Sequence, residues 1–447
     1  MEDFKVKKIL LCLVIIMFVV FGISCTKDDE KTIRYLNFKP EIANVYKEIA
    51  SVYEEETGVK VIVETAASGS YEATLQARMS TSMAPTIFQI NGPIGYLSWK
   101  DYCSDLKESK LYDSLLDKDS AISDDSGVYG IPYVVEGYGI IYNDSIMKKY
   151  FESSWKKSTL KSASEINSFE ELKVVVTDMQ ENKDKLGING VFASTSLKSG
   201  EDWRWQTHLL NVNLSTEINS NNARSFEFYK DLGFSSLDKY KNIFDLYINN
   251  SVRSKSNLGA VSVSDSMAEF ALGKCAMIQN GNWASSQVLG TEGNVVQSAD
   301  IKFMPIYMGL ENEESQGICI GTENFICVNK KMSEDKQKLA IEFLEWLYLS
   351  DKGKEYVQRD LKFISPFEGS DNSKMTDPLA LEVSNWLENK TRNNISWDFT
   401  IIPSSTFKND FGANLLRYAQ DKLSWDSVKN EFLKKWKSEW ELIINKK

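Results

Sequence analysis

Between residues 32 and 65 the apolar pattern changes its period twice, and that change restricts the fold more than any other feature of the chain. Thr32–Phe38 (TIRYLNF) is a short β-rich run. Residues 42–56 then repeat apolar side chains at helical spacing, at Ile42, Val45, Tyr46, Ile49, Val52 and Tyr53. Thr57 and Gly58 stop that helix, and Val59–Thr65 reads as a second strand. A β-α-β unit of this kind predicts parallel strands joined by a right-handed crossover. A helix over Tyr71–Met79, Pro85 and a strand over Thr86–Ile90 extend the pattern into an open-sheet α/β lobe.

Further along, Ile131–Tyr142 reads as one long apolar strand carrying Glu136, Gly137 and Gly139. Helical patterns follow at Phe169–Glu181, Asn221–Leu232, Lys239–Ile248 and Asp265–Leu272. Strands return at Cys275–Gln279, Ile301–Met304 and Asn324–Asn329. Glu334–Leu349 is an amphipathic helix with Ser333 placed to cap it. The tail helix, Ser424–Ile444, sets Trp425, Val428, Phe432, Trp436 and Trp440 near helical spacing, as core residues. No internal repeat is visible.

The N-terminus has the plan of an export signal. Lys5, Lys7 and Lys8 precede an apolar run, Ile9–Phe21, and then Gly22, Ile23, Ser24 and Cys25. That run is shorter than the roughly 20 residues a bilayer core requires. A cysteine directly after the cut resembles a bacterial lipobox and makes Cys25 the expected lipidation site, with residues 25–31 as a polar tether. The chain remaining after residues 1–24 are set aside exceeds the about 250–300 residues at which one core stops growing, so two domains are expected. Apolar residues make up 42% and charged residues 26%, the balance of a globular protein, and the net charge is −11. No basic surface for nucleic acid is indicated. Cys103, Cys275, Cys319 and Cys327 have no CxxC spacing, which argues against zinc and for buried free thiols, although export permits a disulfide. The single histidine, His208, excludes chemistry built on two, and it reads as a locally satisfied side chain. No metal and no cofactor is expected.

Three segments, in order, carry a resemblance. Gly130–Asn143 reads GIPYVVEGYGIIYN, Cys275–Ala284 reads CAMIQNGNWA, and Gly321–Lys330 reads GTENFICVNK ahead of a helix bearing Phe343, Trp346 and Leu347. Together they resemble extracellular solute-binding protein family 1, the sugar-binding lipoproteins of bacterial ABC importers, of the maltose-binding type. The resemblance implies a two-lobed, type II periplasmic-binding-protein-like α/β fold with lobes joined by crossing hinge strands. Residues 32–136 plus about 325–372 would form the first lobe, and 137–324 plus about 373–447 the second. Ligand would sit in a cleft and be enclosed by hinge closure. The expected partners are a carbohydrate, permease subunits and, through Cys25, the outer face of the cell membrane, with the protein a monomer.

Sugars offer flat C–H faces to aromatic rings and a rim of hydroxyls to polar groups. Glu136 sits in an otherwise apolar strand, where a carboxylate is costly unless paired or wet; the resemblance makes it a sugar contact. Trp283 matches the family's stacking tryptophan, and Gly281 before it would permit a tight turn that aims the ring. Trp203 and Trp205 flank Arg204. In an extended segment both indoles share one face; in a helix they diverge and one alone lines the site, with Trp205 preferred. Gln89 and Asn91 are read at the carboxyl end of a strand, where open α/β sheets bind ligands. At this loop the family relative has charges and this chain has Asn91, Gly92 and Pro93, implying a different hydroxyl pattern. Lys39 and Glu41, then Ser68 and Tyr71, occupy similar loops, although Glu41 also suits a helix N-terminus. Glu323 and Asn324 precede the return strand, and Trp397 is a candidate cap over the ligand.

Other readings remain open at the level of sequence. A glycoside hydrolase would need a carboxylate pair, and Glu136 has no evident partner. No GxSxG, HExxH or P-loop is present. A sensor that shows its ligand state to a membrane receptor would share every feature above. A binder of a non-sugar solute such as a peptide or polyamine is a third reading; polyamine sites want several acidic residues with their aromatics, and the Trp283 motif favours sugar.

Overall fold

The computed structural model describes residues 30–67, 69–219, 225–372 and 375–445. Cys25 and Ser68, both singled out above, lie outside the described residues. Among those described there are eleven strands: β1 (Thr32–Asn37), β2 (Lys60–Thr65), β3 (Ile87–Asn91), β4 (Ile122–Asp124), β5 (Gly127–Pro132), β6 (Glu136–Asn143), β7 (Met277–Gly281), β8 (Ile301–Met304), β9 (Gln316–Gly321), β10 (Asn324–Val328) and β11 (Asn393–Ile395). The chain forms two compact units. Among the described residues, one comprises 30–90 with 99–131 and 325–356; the other comprises 91–98, 132–324 and 357–445.

The first unit is built on a six-stranded sheet in the order β2-β1-β3-β10-β5-β4. β1 runs parallel to β2, Ile33 opposite Val61 and Tyr35 opposite Val63, and parallel to β3. Helix Ala43–Thr57 makes the expected crossover and buries Tyr46, Ile49, Ala50 and Tyr53. It ends at Gly58, whose φ of 70° only glycine adopts freely and whose N–H closes on the Glu54 carbonyl. Helix Glu334–Leu349 is capped by Ser333 and buries Phe343, Leu344 and Leu347, with the Phe343 ring 5.0 Å from that of Tyr53.

The second unit is organised around β6. This strand pairs antiparallel with β7, β8 and β9, and β11 extends the sheet from β9. All eight β6 residues are buried. The long strand expected over Ile131–Tyr142 is thus two strands in two sheets, because β5 ends at Pro132 and the chain re-enters a ladder only at Glu136. The helix expected over Asn221–Leu232 is shorter in its described part, Phe226–Lys230, starting at the Ser225 cap. Helix Trp425–Ile444 buries Trp425, Val428, Phe432, Trp436 and Trp440, as their spacing required. Cys103, Cys275, Cys319 and Cys327 are buried free thiols.

Candidate functional site

Tryptophans from three separate segments of the second unit meet. Trp203 and Trp283 are half-buried, their ring centroids 6.0 Å apart. Trp397 lies edge-on to Trp283 at 6.4 Å. Beneath them His208 touches every ring of the group: Trp203 at 4.7 Å, Trp283 at 5.8 Å, Trp397 at 5.9 Å, Tyr138 at 4.5 Å and Phe399, stacked, at 4.8 Å. Such offset and edge-on packing suits ring quadrupoles and leaves little freedom to the buried members.

Backbone geometry explains each position. Trp283 follows β7, and its indole folds back over Gly281, where a Cβ would stand 2.1 Å from the ring. Gly281 is therefore needed for clearance, not for the tight turn read from the sequence; its φ is not positive. Trp397 rests in the same way on Gly321, at the end of β9. Its segment is held by the fully buried Asn211, whose amide donates to the Ser396 carbonyl and accepts from the Asp398 and Phe399 N–H groups. Trp203 opens a turn of π-helix, Arg204–Leu209, which runs on as α-helix to Asn219. An i→i+5 turn places residues five apart on one face, so the Trp203 ring meets that of His208 at a tilt of 57°.

Several of the polar residues singled out from the sequence lie in the same unit. Asn91 donates to Glu323 at 2.7 Å. Gly92 has φ 54°, and a Cβ there would meet Thr400 at 2.5 Å, so the Asn91–Gly92 turn lies directly on the residue after Phe399. Glu136, 5% exposed, opens β6 opposite Gly321, the glycine under Trp397. Asn324 is buried at the start of β10.

Residues 48–382 match a family described as bacterial extracellular solute-binding protein. The chain belongs to this family. Among solved structures, a chitin oligosaccharide binding protein superposes with a TM-score of 0.72 at 14% identity, covering 92% of this chain and 98% of that one. A sugar transporter from Bacillus licheniformis in complex with stachyose gives 0.63 at 15% identity over 91% and 100%. Maltose-bound MalE3 of T. maritima gives 0.66 at 14% identity over 91% and 99%. No curated protein matches at the level of sequence. The fold is that of the two-lobed α/β solute-binding proteins, as the three sequence segments implied.

In this solute-binding protein several residues singled out from sequence have interior positions. Trp205, preferred above over Trp203, is 4% exposed; it donates to the Ser196 carbonyl and packs on Phe244 and Tyr247. The helical alternative therefore applies, and Trp203 is the indole in the aromatic group. Gln89 lies inside β3, not beyond it, because the strand runs on to Asn91. It is fully buried, accepting from the Phe38 N–H and donating to the Tyr35 hydroxyl. The Tyr71 hydroxyl ties the Leu36 carbonyl to the Gln89 N–H, a structural knot between β1 and β3. Lys39 is buried and pairs with Glu41 at 3.9 Å in the turn that starts the first helix.

The sequence assigns Arg204 no role of its own and marks His208 as a locally satisfied side chain. Both are 4% exposed. The Arg204 guanidinium lies over the Trp203 ring at 3.9 Å and donates to the Asn280 side chain at 3.1 Å. Burial lowers its pKa to about 9, which leaves it charged at neutral pH. Burial also raises the Asp202 carboxyl, two residues away. Among the described residues no group of three or more His, Cys, Asp or Glu side chains is placed to hold a metal, and no helix is long and apolar enough to cross a membrane.

Proposed function

We propose that this solute-binding protein is the carbohydrate-capturing subunit of an ABC importer, tethered through a lipid on Cys25 to the extracellular face of the membrane. The observation that carries the sugar reading is the half-buried Trp203–Trp283 pair over its buried aromatic backing. Rings held this way suit the C–H face of a pyranose and resist collapse when the ligand leaves. Trp397 adds a third ring, and Asn91, Glu323 and Glu136 supply amide and carboxylate groups for hydroxyls. A carboxylate accepts from sugar hydroxyls with charge-assisted strength. Chitin oligosaccharide, stachyose and maltose, the ligands named for the three structures above, favour an oligosaccharide. The family is described as solute-binding, which favours capture over catalysis.

A thermal-shift screen of mono- and oligosaccharides tests this directly, since a ligand at 100 times its Kd adds roughly 2.7 kcal/mol. Calorimetry on Trp283→Ala and Trp203→Ala should then show affinity weakened by about 1 kcal/mol to several, on the scale of a truncated aromatic anchor. Unchanged affinity in folded variants would remove the stacking surface from consideration. Release of reducing sugar by the purified protein would favour a hydrolase. Loss of sugar uptake on deletion of the chain would support the importer over a sensor.

A further inference from the structure

Arg204 faces a second environment besides Trp203. A small cavity of about 10 Å³ in the second unit is lined by Arg204, Tyr247, Gln279, Trp205, Phe192 and Ser194, among others. Three buried polar atoms of its lining residues have no hydrogen-bond partner in the protein: Arg204 Nη1, Tyr247 Oη and Gln279 Oε1. The three residues are 4%, 1% and 3% exposed. They come from separate elements: the π turn, helix Leu237–Asn249 and β7.

We propose that this cavity is a built site for one water molecule, and that the water fixes the Arg204 guanidinium against Trp203. The volume is that of about one water, and two to four polar partners are what a buried water takes. The donor set decides the occupant. Arg204 only donates, Gln279 Oε1 only accepts, and the Tyr247 hydroxyl does either. The Gln279 orientation is set by its Nε2, which donates to the Arg204 carbonyl at 2.9 Å. A halide would face the Gln279 oxygen, and an ammonium would face the guanidinium. A water accepts from Arg204, donates to Gln279 and completes its shell with Tyr247. Burial keeps the Tyr247 phenol protonated and so able to take part. Asn280 accepts from Nη2 of the guanidinium, so a water at Nη1 supplies a second in-plane contact. Arg204 is then a positioning residue for the Trp203 ring. The water site stands without the sugar reading; only its effect on affinity rests on it.

The test is a high-resolution crystal structure of the mature chain grown with bromide, beside the same structure of Tyr247→Phe. An ordered peak with no anomalous signal, within hydrogen-bond distance of all three atoms, is expected in the wild type. In the variant the peak should be lost or displaced and the guanidinium rotated off the Trp203 face. A bromide peak, an empty cavity, or an Arg204 unmoved in the variant would overturn the proposal. For a sugar that binds the wild type, Tyr247→Phe should weaken Kd several-fold with little change in Tm. A wild type that binds no sugar fails the functional reading alone, because the crystallographic comparison still decides the water.

Discussion

At the scale of single residues, two missing side chains shape the aromatic group more than any that are present. Gly281 and Gly321 lie where the rings of Trp283 and Trp397 rest, and a Cβ at either would stand 2.1 or 2.6 Å from the indole. Contacts that short force a ring to move, and overpacking of this kind costs about 1–3 kcal/mol. Gly281→Ala is therefore expected to displace Trp283 and to weaken sugar affinity about as much as Trp283→Ala does, while the fold survives. Calorimetry and thermal melting of the two variants side by side check this; full affinity in Gly281→Ala would mean that the ring's position is immaterial. The tryptophan itself was legible, because a glycine two residues before it forms a local motif. The glycine's purpose was not, because clearance for a ring depends on where the side chain folds back.

At the scale of elements, the π turn at Arg204–Leu209 shows why the neighbouring tryptophans were hard to sort. Extended and α-helical templates put side chains two, three or four residues apart on one face. The turn instead aligns Trp203 with His208, five apart, and sends Trp205 into the core. Asp202 lies just before this turn. Its carbonyl accepts from the Trp205 and Gln206 N–H groups, and its carboxylate accepts from the Gln206 amide at 2.8 Å. Burial raises the pKa of that carboxyl above its ordinary 3.8. A raised carboxyl contributes stability that is complete below the unfolded value and is lost as pH rises through the folded one. Asp202→Asn has no such loss. Its stability relative to wild type should therefore increase as pH climbs from 3.8 and level off once the wild-type carboxyl is ionised. Urea unfolding of both proteins across that range measures the difference, and a gap independent of pH would contradict the assignment. β6 was legible as apolar, but the reason for its glycines was not: a Cβ on Gly137 would meet Val383 at 2.5 Å, and one on Gly139 the Met304 carbonyl at 2.6 Å.

At the scale of the whole molecule, the chain alternates between its two units, so neither is a continuous piece of sequence. The first unit was readable because β1, β2 and the helix between them are consecutive, and local periodicity suffices to recognise a β-α-β unit. The second was readable mainly through its family segments, since β6 takes its partners β7, β8 and β9 from far along the chain. Residues 132–324 supply most of that unit, yet its core also contains Trp397, Phe399, Phe407, Phe411, Trp425, Phe432, Trp436 and Trp440. Phe407 and Phe411 pack on Phe432, and the Trp436 indole donates to the Tyr229 carbonyl at 2.7 Å, so the C-terminal helices close the core they belong to. Burying one large aromatic contributes about 1.5–3 kcal/mol, and a domain's net stability is only about 5–15 kcal/mol, so loss of eight, about 12–24 kcal/mol, removes most or all of the margin. A fragment of residues 132–324 alone should therefore lack a cooperative melt, lose near-ultraviolet circular dichroism and bind a hydrophobic dye. Joining residues 357–447 to it through a flexible linker should restore a single sharp transition. A cooperative melt in the shorter fragment would show that the C-terminal helices decorate the unit and do not complete it.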